Sequence, residues 1–242
     1  MRKTRFLTRL SSGAFVVAVA AGSVLFTDGV SAAAATAVSP QVELNVSAAS
    51  VTYGTPVTLT AKINQSDALG AVQFKDANNT LADATVHNGQ AWTLIPHRQA
   101  QLVLTPGEHL LTAVFKPTPT DSVTHESSAV RLEVTPQATI LTAAPGMMHV
   151  LSLSNVEFAA KLTEAPSGEP VAVGIIEFYG RDGTPLCHAF TESDGWARCS
   201  GAEGPLGHTV ELLGGYKAVF PGNTSYYSSE QHSPGAVNIT GP

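Results

Sequence analysis

The side chains best suited to chemistry are few. Cys187 and Cys199 come first. Ser193 lies midway between them, beside the turn signal Asp194-Gly195. Residues equidistant from a hairpin turn face each other across the two strands, so this spacing predicts a hairpin closed by a disulfide. A bond over so short a loop contributes about 3 kcal/mol in the chain-entropy view. The alternative is a pair of reduced, buried thiols. A redox-active pair would favour Cys-x-x-Cys at a helix start, and neither is present. The eight histidines are His87, His97, His109, His125, His149, His188, His208 and His232. None stands in the His-x-His or His-x-x-x-His spacing that would bring imidazoles onto one zinc or copper ion. Asp76, Asp182-Gly183 and Asp194-Gly195 sit in turn signals. Their expected role is to bond their own turn backbone, since no Asp-x-Asp-x-Asp-Gly calcium loop occurs.

Nucleophile motifs are absent: there is no Gly-x-Ser-x-Gly and no His-Glu-x-x-His. Catalytic, metal and cofactor sites are therefore all expected to be none. Two aromatics stand apart. Trp92 and Trp196 each follow the glycine of a turn, Gly89 or Gly195, and their small neighbours Ala91 and Ala197 suit an inward face. Alternation then turns both indoles outward, Trp92 with Leu94 and Trp196 with Arg198. Exposed rings on a flat sheet can stack on sugars or anchor a partner. The competing reading is that a loop or a neighbouring module covers them.

The elements that must position these residues are read from composition and patterning. The chain has 242 residues, 43% hydrophobic and only 13% charged, with 21 Gly and 15 Pro. That suits an all-β chain rich in turns and argues against disorder. Arg2, Lys3, Arg5 and Arg9 precede an apolar run from Ala14 to Phe26, and Val30-Ser31-Ala32 offers a cleavage site. Residues 1–32 therefore read as a secretory signal, with a membrane anchor as the alternative. Export favours pairing of the two cysteines. Losing residues 1–32 removes four basic side chains and one acid, so the mature chain is more acidic than the net −6 of the whole. Nucleic acid and anionic membrane are unsuitable partners for it.

An internal repeat organises what remains. Val38-Ser39-Pro40-Gln41 recurs as Val134-Thr135-Pro136-Gln137, and Val57-Thr58-Leu59-Thr60-Ala61-Lys62 as Val156-Glu157-Phe158-Ala159-Ala160-Lys161. Gly70-Ala71-Val72-Gln73-Phe74 matches Gly174-Ile175-Ile176-Glu177-Phe178. Gly89-Gln90-Ala91 matches Gly195-Trp196-Ala197, and Ala113-Val114-Phe115 matches Ala218-Val219-Phe220. The segments alternate with period two, which predicts strands buried on one face. No helical period outside the signal is long enough to predict a helix. Sheets apolar on one face must pack on each other, giving a sandwich of about seven strands per copy.

These residues carry a family resemblance. Tyr53-Gly54-Thr55-Pro56-Val57-Thr58-Leu59-Thr60-Ala61 resembles the opening strand of bacterial Ig-like repeats of the third group. The train Gly70-x-Val72-x-Phe74-x-Asp76, Gly89-x-Ala91, Pro106-Gly107-x-His109, Ala113-Val114-Phe115 and Ser127-Ser128 is similar to the same family. The second copy resembles it from Val156 to Ser229. It lacks the Tyr-Gly-x-Pro opening but has the late turn Phe220-Pro221-Gly222-Asn223 with Tyr226. The resemblance implies two tandem Ig-like antiparallel β-sandwich domains after a signal peptide: 1–32 signal, 33–136 first domain, 137–242 second domain. The short Pro136-Gln137-Ala138 junction predicts an end-to-end pair with limited bending. It also implies a secreted or cell-surface module without catalysis, whose partner would be a surface protein or a polysaccharide. A carbohydrate-binding accessory role through Trp92 and Trp196 is the second expectation. A hydrolase on a sandwich frame is the third.

Overall fold

The computed structural model describes residues 39–118, 123–149, 156–201 and 214–238. The expected signal at 1–32 and His208 lie outside them, as does the side chain of His149. The described residues form one compact unit.

The first half runs β1 (Val42–Val46), β2 (Ser50–Thr52), β3 (Val57–Ile63), β4 (Gly70–Asp76), β5 (Asn79–Thr85) and β6 (Gln90–Ile95). It continues with α1 (His97–Val103), β7 (Gly107–Pro117), β8 (His125–Glu126) and β9 (Val130–Thr135). One sheet has the order β1-β3-β6. The other has the order β2-β9-β7-β4-β5, with β8 also paired to β7. Alternation decides which side chains meet between them. Along β3, Val57, Leu59 and Ala61 are buried while Thr58, Thr60 and Lys62 face away. Val72 and Phe74 of β4, and Leu111, Ala113 and Phe115 of β7, close the core from the opposite sheet. Each large apolar side chain so buried is worth about 1.5–3 kcal/mol in transfer terms.

The second half runs β10 (Thr139–Ala143), β11 (Gly146–His149), β12 (Val156–Glu164), β13 (Ile175–Gly180) and β14 (Pro185–Phe190). Then come β15 (Trp196–Gly201), β16 (Tyr216–Phe220), β17 (Ser229–Ser233) and β18 (Gly235–Asn238). One sheet has the order β10-β12-β11-β18 with β15 on β12, and the other β14-β13-β16-β17. A separate core gathers Phe158, Leu162, Ile176, Phe178, Tyr216 and Phe220. Phe158 meets Tyr216 edge-on at 5.1 Å, a contact worth about 0.5–1.5 kcal/mol beyond its area. The Tyr216 hydroxyl donates towards the carbonyls of Ala144 and Ala159. Burial raises its pKa above the ordinary tyrosine value.

The repeat matches fall on equivalent strands. Phe74 and Phe178, Ala91 and Ala197, and Phe115 and Phe220 occupy the same core places. Gly89 and Gly195 both take positive φ, +70° and +81°, at the turn before the sixth strand of each copy. A Cβ there would stand 2.9 Å from the Gln65 carbonyl oxygen and 2.6 Å from that of Leu162, so only glycine fits.

Two expectations need correction. The first is the hairpin at the cysteines. Cys187 and Cys199 are bonded, but β14 and β15 do not pair. Cys187 stands opposite Phe178 of β13, and Cys199 opposite Phe158 of β12, in different sheets. The turn between them, closed by Gly195 N–H to Glu192 O, lifts the chain from one sheet to the other. Both a hairpin and such an arch bring equidistant residues together, so counting from the turn could not separate them. The bond is therefore a staple between the two sheets at their shared edge.

The second is the missing helix. Residues His97–Val103 form α1, starting after Pro96, which has extended backbone and no side-chain cap. The Pro96 carbonyl accepts the first helical bond from Ala100 N–H, and Gln99, Ala100, Gln101 and Leu102 are good helix formers. Ala100 and Leu104 are buried beneath it. Two turns are too short to show a period in sequence.

Candidate functional site

Three places hold the residues that sequence singled out. The turn carboxylates come first. Asp182 accepts from the backbone N–H and the hydroxyl of Thr184, and these bonds lower its pKa. Asp194 accepts from the N–H of Trp196. Asp76 departs from the expectation that it serves its own turn. Its Oδ2 lies 2.7 Å from Nδ1 of the buried His109, whose Nε2 is 2.6 Å from the Thr105 carbonyl. The Thr105 carbonyl only accepts, so Nε2 donates to it, and the ring is held between the two partners. Among the described residues no cluster of His, Cys, Asp and Glu is arranged to hold a metal.

The indoles come next. Trp92 is 68% exposed on β6, opposite Thr60, and Leu94 is 51% exposed opposite Thr58. Both point away from the core on the outer face of the three-stranded sheet. Trp196 is half-buried, and the Arg198 guanidinium lies 5.2 Å from its ring centroid. That cation–π contact places a guanidinium over one face of the ring.

The third place is the junction between the halves. Gln137 is only 4% exposed although it lies in the connecting segment. Its N–H donates to Ser225 O and its carbonyl accepts from Tyr227 N–H, while Thr135 O accepts from Tyr53 N–H. The link is thus hydrogen-bonded into both halves. Tyr53 and Tyr226 meet edge-on at 5.5 Å. The Tyr53 hydroxyl donates to Gln101 O.

Beneath the rings lies Glu164, at the end of β12 and 2% exposed. Its Oε1 accepts from the Tyr226 hydroxyl at 2.9 Å and from Gln101 Nε2 at 2.7 Å, and its Oε2 from the Ser167 hydroxyl at 2.8 Å. A buried carboxylate is tolerable only when its oxygens are so served. Burial first, then the bond to Glu164, push the Tyr226 hydroxyl's pKa far up, so it stays a donor. His97 of α1 completes the group. Its Nδ1 lies 2.6 Å from the Gly54 carbonyl, and its Nε2 is 3.4 Å from Glu164 Oε2 and 3.7 Å from Glu169 Oε2. An open cleft of about 680 Å³ runs beside these residues, lined by Arg98, Leu102 and Glu169 among others.

Local sequence explains each position. Gly54 adopts φ +80°, and a Cβ there would come within 2.8 Å of the His97 ring. Asn223 Oδ1 accepts from the N–H groups of Ser225 and Tyr226, an Asx turn that aims the Tyr226 ring at the first half. Sequence reasoning did not find Glu164. A signal was nevertheless present. The Tyr-Gly opening survives in the first copy alone and the Asn223–Tyr226 turn in the second, and these are the two motifs that meet here.

The architecture defines an all-β, immunoglobulin-like chain. Residues 44–135 match the family model of the bacterial Ig-like domain, group 3; the resemblance is shown there, over the first copy. No curated protein matches the sequence. Solved structures that resemble it include a tetra-tandem repeat from the extending region of a large adhesion protein, at 12% identity and TM-score 0.40. That alignment covers 81% of this chain and 49% of the other. The adhesin InvE of Yersinia pseudotuberculosis aligns at 9% identity and TM-score 0.38, covering 79% of this chain and 58% of the adhesin. Fibronectin(III)-like modules of CbhA from Clostridium thermocellum align at 16% identity and TM-score 0.31, over 40% of this chain and 94% of the other. The chain spans about half the length of the two adhesion proteins it matches. Among the described residues no helix is long and apolar enough to cross a membrane.

Proposed function

We propose that this chain is a non-catalytic, exported pair of Ig-like modules that serves outside the cell as a stiff structural or adhesive unit. The proposal keeps residues 1–32 as the signal and divides the rest at 136/137. The observation that carries it is the junction. A connecting segment bonded on both sides, with a buried carboxylate serving donors from both halves, resists hinging in a way that a solvated linker does not. Stiffness is what a spacer that presents a binding surface at a distance requires. Small-angle scattering on residues 33–242 tests it: one narrow set of end-to-end distances is expected, and a broad hinge-like distribution would sink the reading.

One observation favours a second reading, carbohydrate binding, for Trp92 only. Its exposed indole lies among Thr60, Lys62 and Gln90, which can hydrogen-bond sugar hydroxyls. Quenching or a blue shift of indole fluorescence on titration with cell-wall polysaccharide, lost in Trp92→Ala, would support it. An unchanged spectrum across polysaccharides and pull-downs would leave the spacer reading alone.

A further inference from the structure

We propose that the cleft along the free edge of β6 is a binding site for a neutral sugar unit, held between the Trp92 indole and open backbone groups of that edge. The inference rests on the carbohydrate reading of Trp92 and moves the ligand from the outer face of the sheet to its edge.

The backbone register comes first. Ile63 N–H donates to Gly89 O, one step beyond the pair Lys62 and Gln90. Bonded and non-bonded pairs alternate along an antiparallel ladder. Ala91, Thr93 and Ile95 therefore bond to β3, while the N–H and C=O groups of Gln90, Trp92 and Leu94 point the other way. β6 ends its sheet, so they point to an edge. Both groups of Gln90 bond to His87. Among the described residues no backbone group meets those of Trp92 and Leu94. A cleft of about 420 Å³ opens at this edge, lined by Ala84 and Thr85 of β5 and by His87, Gln90 and Trp92. That volume lies within the roughly 300–1,000 Å³ of small-ligand sites.

The lining selects the ligand. The indole offers an apolar surface to the C–H face of a sugar ring. Thr85, His87, Gln90 and the open backbone groups offer donors and acceptors to hydroxyls. No carboxylate, ammonium or guanidinium lines the cleft. On the face beyond it Lys62, opposite Gln90, also stands opposite Glu43, so the surroundings have no net sign. A peptide strand would need a longer run of open residues to add to this edge. The turn at His87 and Gln90 closes one end. At the other, Pro96 has no N–H and its carbonyl takes the Ala100 N–H. A sugar unit needs only the few groups that remain.

The second copy shows the same place closed. Arg198 stands opposite Ala159 as Trp92 stands opposite Thr60, so an arginine takes the position of the indole. Cys199 then takes the place of Thr93. Cys187 faces Phe178 as Ala82 faces Phe74. The disulfide thus ties together the two sheet edges between which the first copy leaves a cleft. A charged side chain and a staple are ways to guard an edge. The fold does not require the gap, and only the first copy combines it with an exposed ring.

The test titrates isotope-labelled mature chain with neutral hexasaccharides of glucose, mannose and N-acetylglucosamine, and with a galacturonate hexamer as the acidic counterpart. At least one neutral sugar should move the amide signals of Thr85, Trp92 and Leu94, saturating by about 10 mM. Galacturonate should leave them in place. Trp92→Arg puts there the side chain that the second copy carries, on an exposed position, and should weaken binding about tenfold. Thr85→Val keeps the shape but removes the hydroxyl and should weaken it about fivefold. Shifts confined to Thr58, Thr60 and Lys62, with Thr85→Val binding like the parent, would overturn the edge site and leave the carbohydrate reading standing. An equal response to galacturonate would overturn the neutral class. No shift with any of the three neutral sugars would remove the edge site and the carbohydrate reading together.

Discussion

At the residue scale, Glu164 shows how one side chain can set the relation between two halves. Glu164→Ala strands Gln101 and Tyr226 donors in a buried place. The expected cost is about 2–3 kcal/mol of junction stability, read as separate unfolding of the two halves in calorimetry where the parent unfolds together. Gly54→Ala should loosen the same contact, because the new methyl meets the His97 ring and the backbone must hold positive φ. Exchange at Gln137 would show it. Tyr226 sets a limit at high pH. Its raised value against an ordinary 10.0 means that the unfolded chain gives up this proton first. Stability is therefore full below about pH 10 and falls as pH climbs further. Tyr226→Phe should flatten that alkaline decline in a pH series of melting temperatures. Chemical type and short spacing revealed the disulfide pair and the turn aspartates. They could not reveal Glu164, whose partners come from segments far apart in the chain, nor the Asp76–His109 pair.

At the element scale, strand alternation was legible because period-two burial is local. Val57-x-Leu59-x-Ala61 and Ile176-x-Phe178 identify their inward faces without any tertiary knowledge. Sheet membership was not legible. Nothing local tells an arch from a hairpin, which is why Cys187 and Cys199 were expected to face each other within one sheet. The corrected geometry sharpens the expected outcome of reduction. A bond between sheets holds the sandwich edge closed, so Cys187→Ser with Cys199→Ser should destabilise the second half by about 3 kcal/mol. The first half, which has no cysteine, should keep its own exchange protection. Trp92→Ala belongs to this scale too. With its ring on the outer face, the change should alter stability by no more than about 0.5 kcal/mol, checked by denaturant unfolding. α1 escaped detection because its seven residues hold a single buried anchor, Ala100.

At the scale of the molecule, the pairing that matters is parallel. In the first half β2 runs beside β9 in the same direction, Ser50 to Glu133 through Thr52 to Thr135. In the second, β11 runs beside β18, Gly146 to Gly235 through His149 to Asn238. Each pair joins a segment near the start of its half to one near the end. A pull on the two ends of the chain therefore slides each pair along its length, loading all its hydrogen bonds at once instead of opening them one after another. Tension along the chain would therefore meet both halves in shear, a stress that heat and denaturant do not apply.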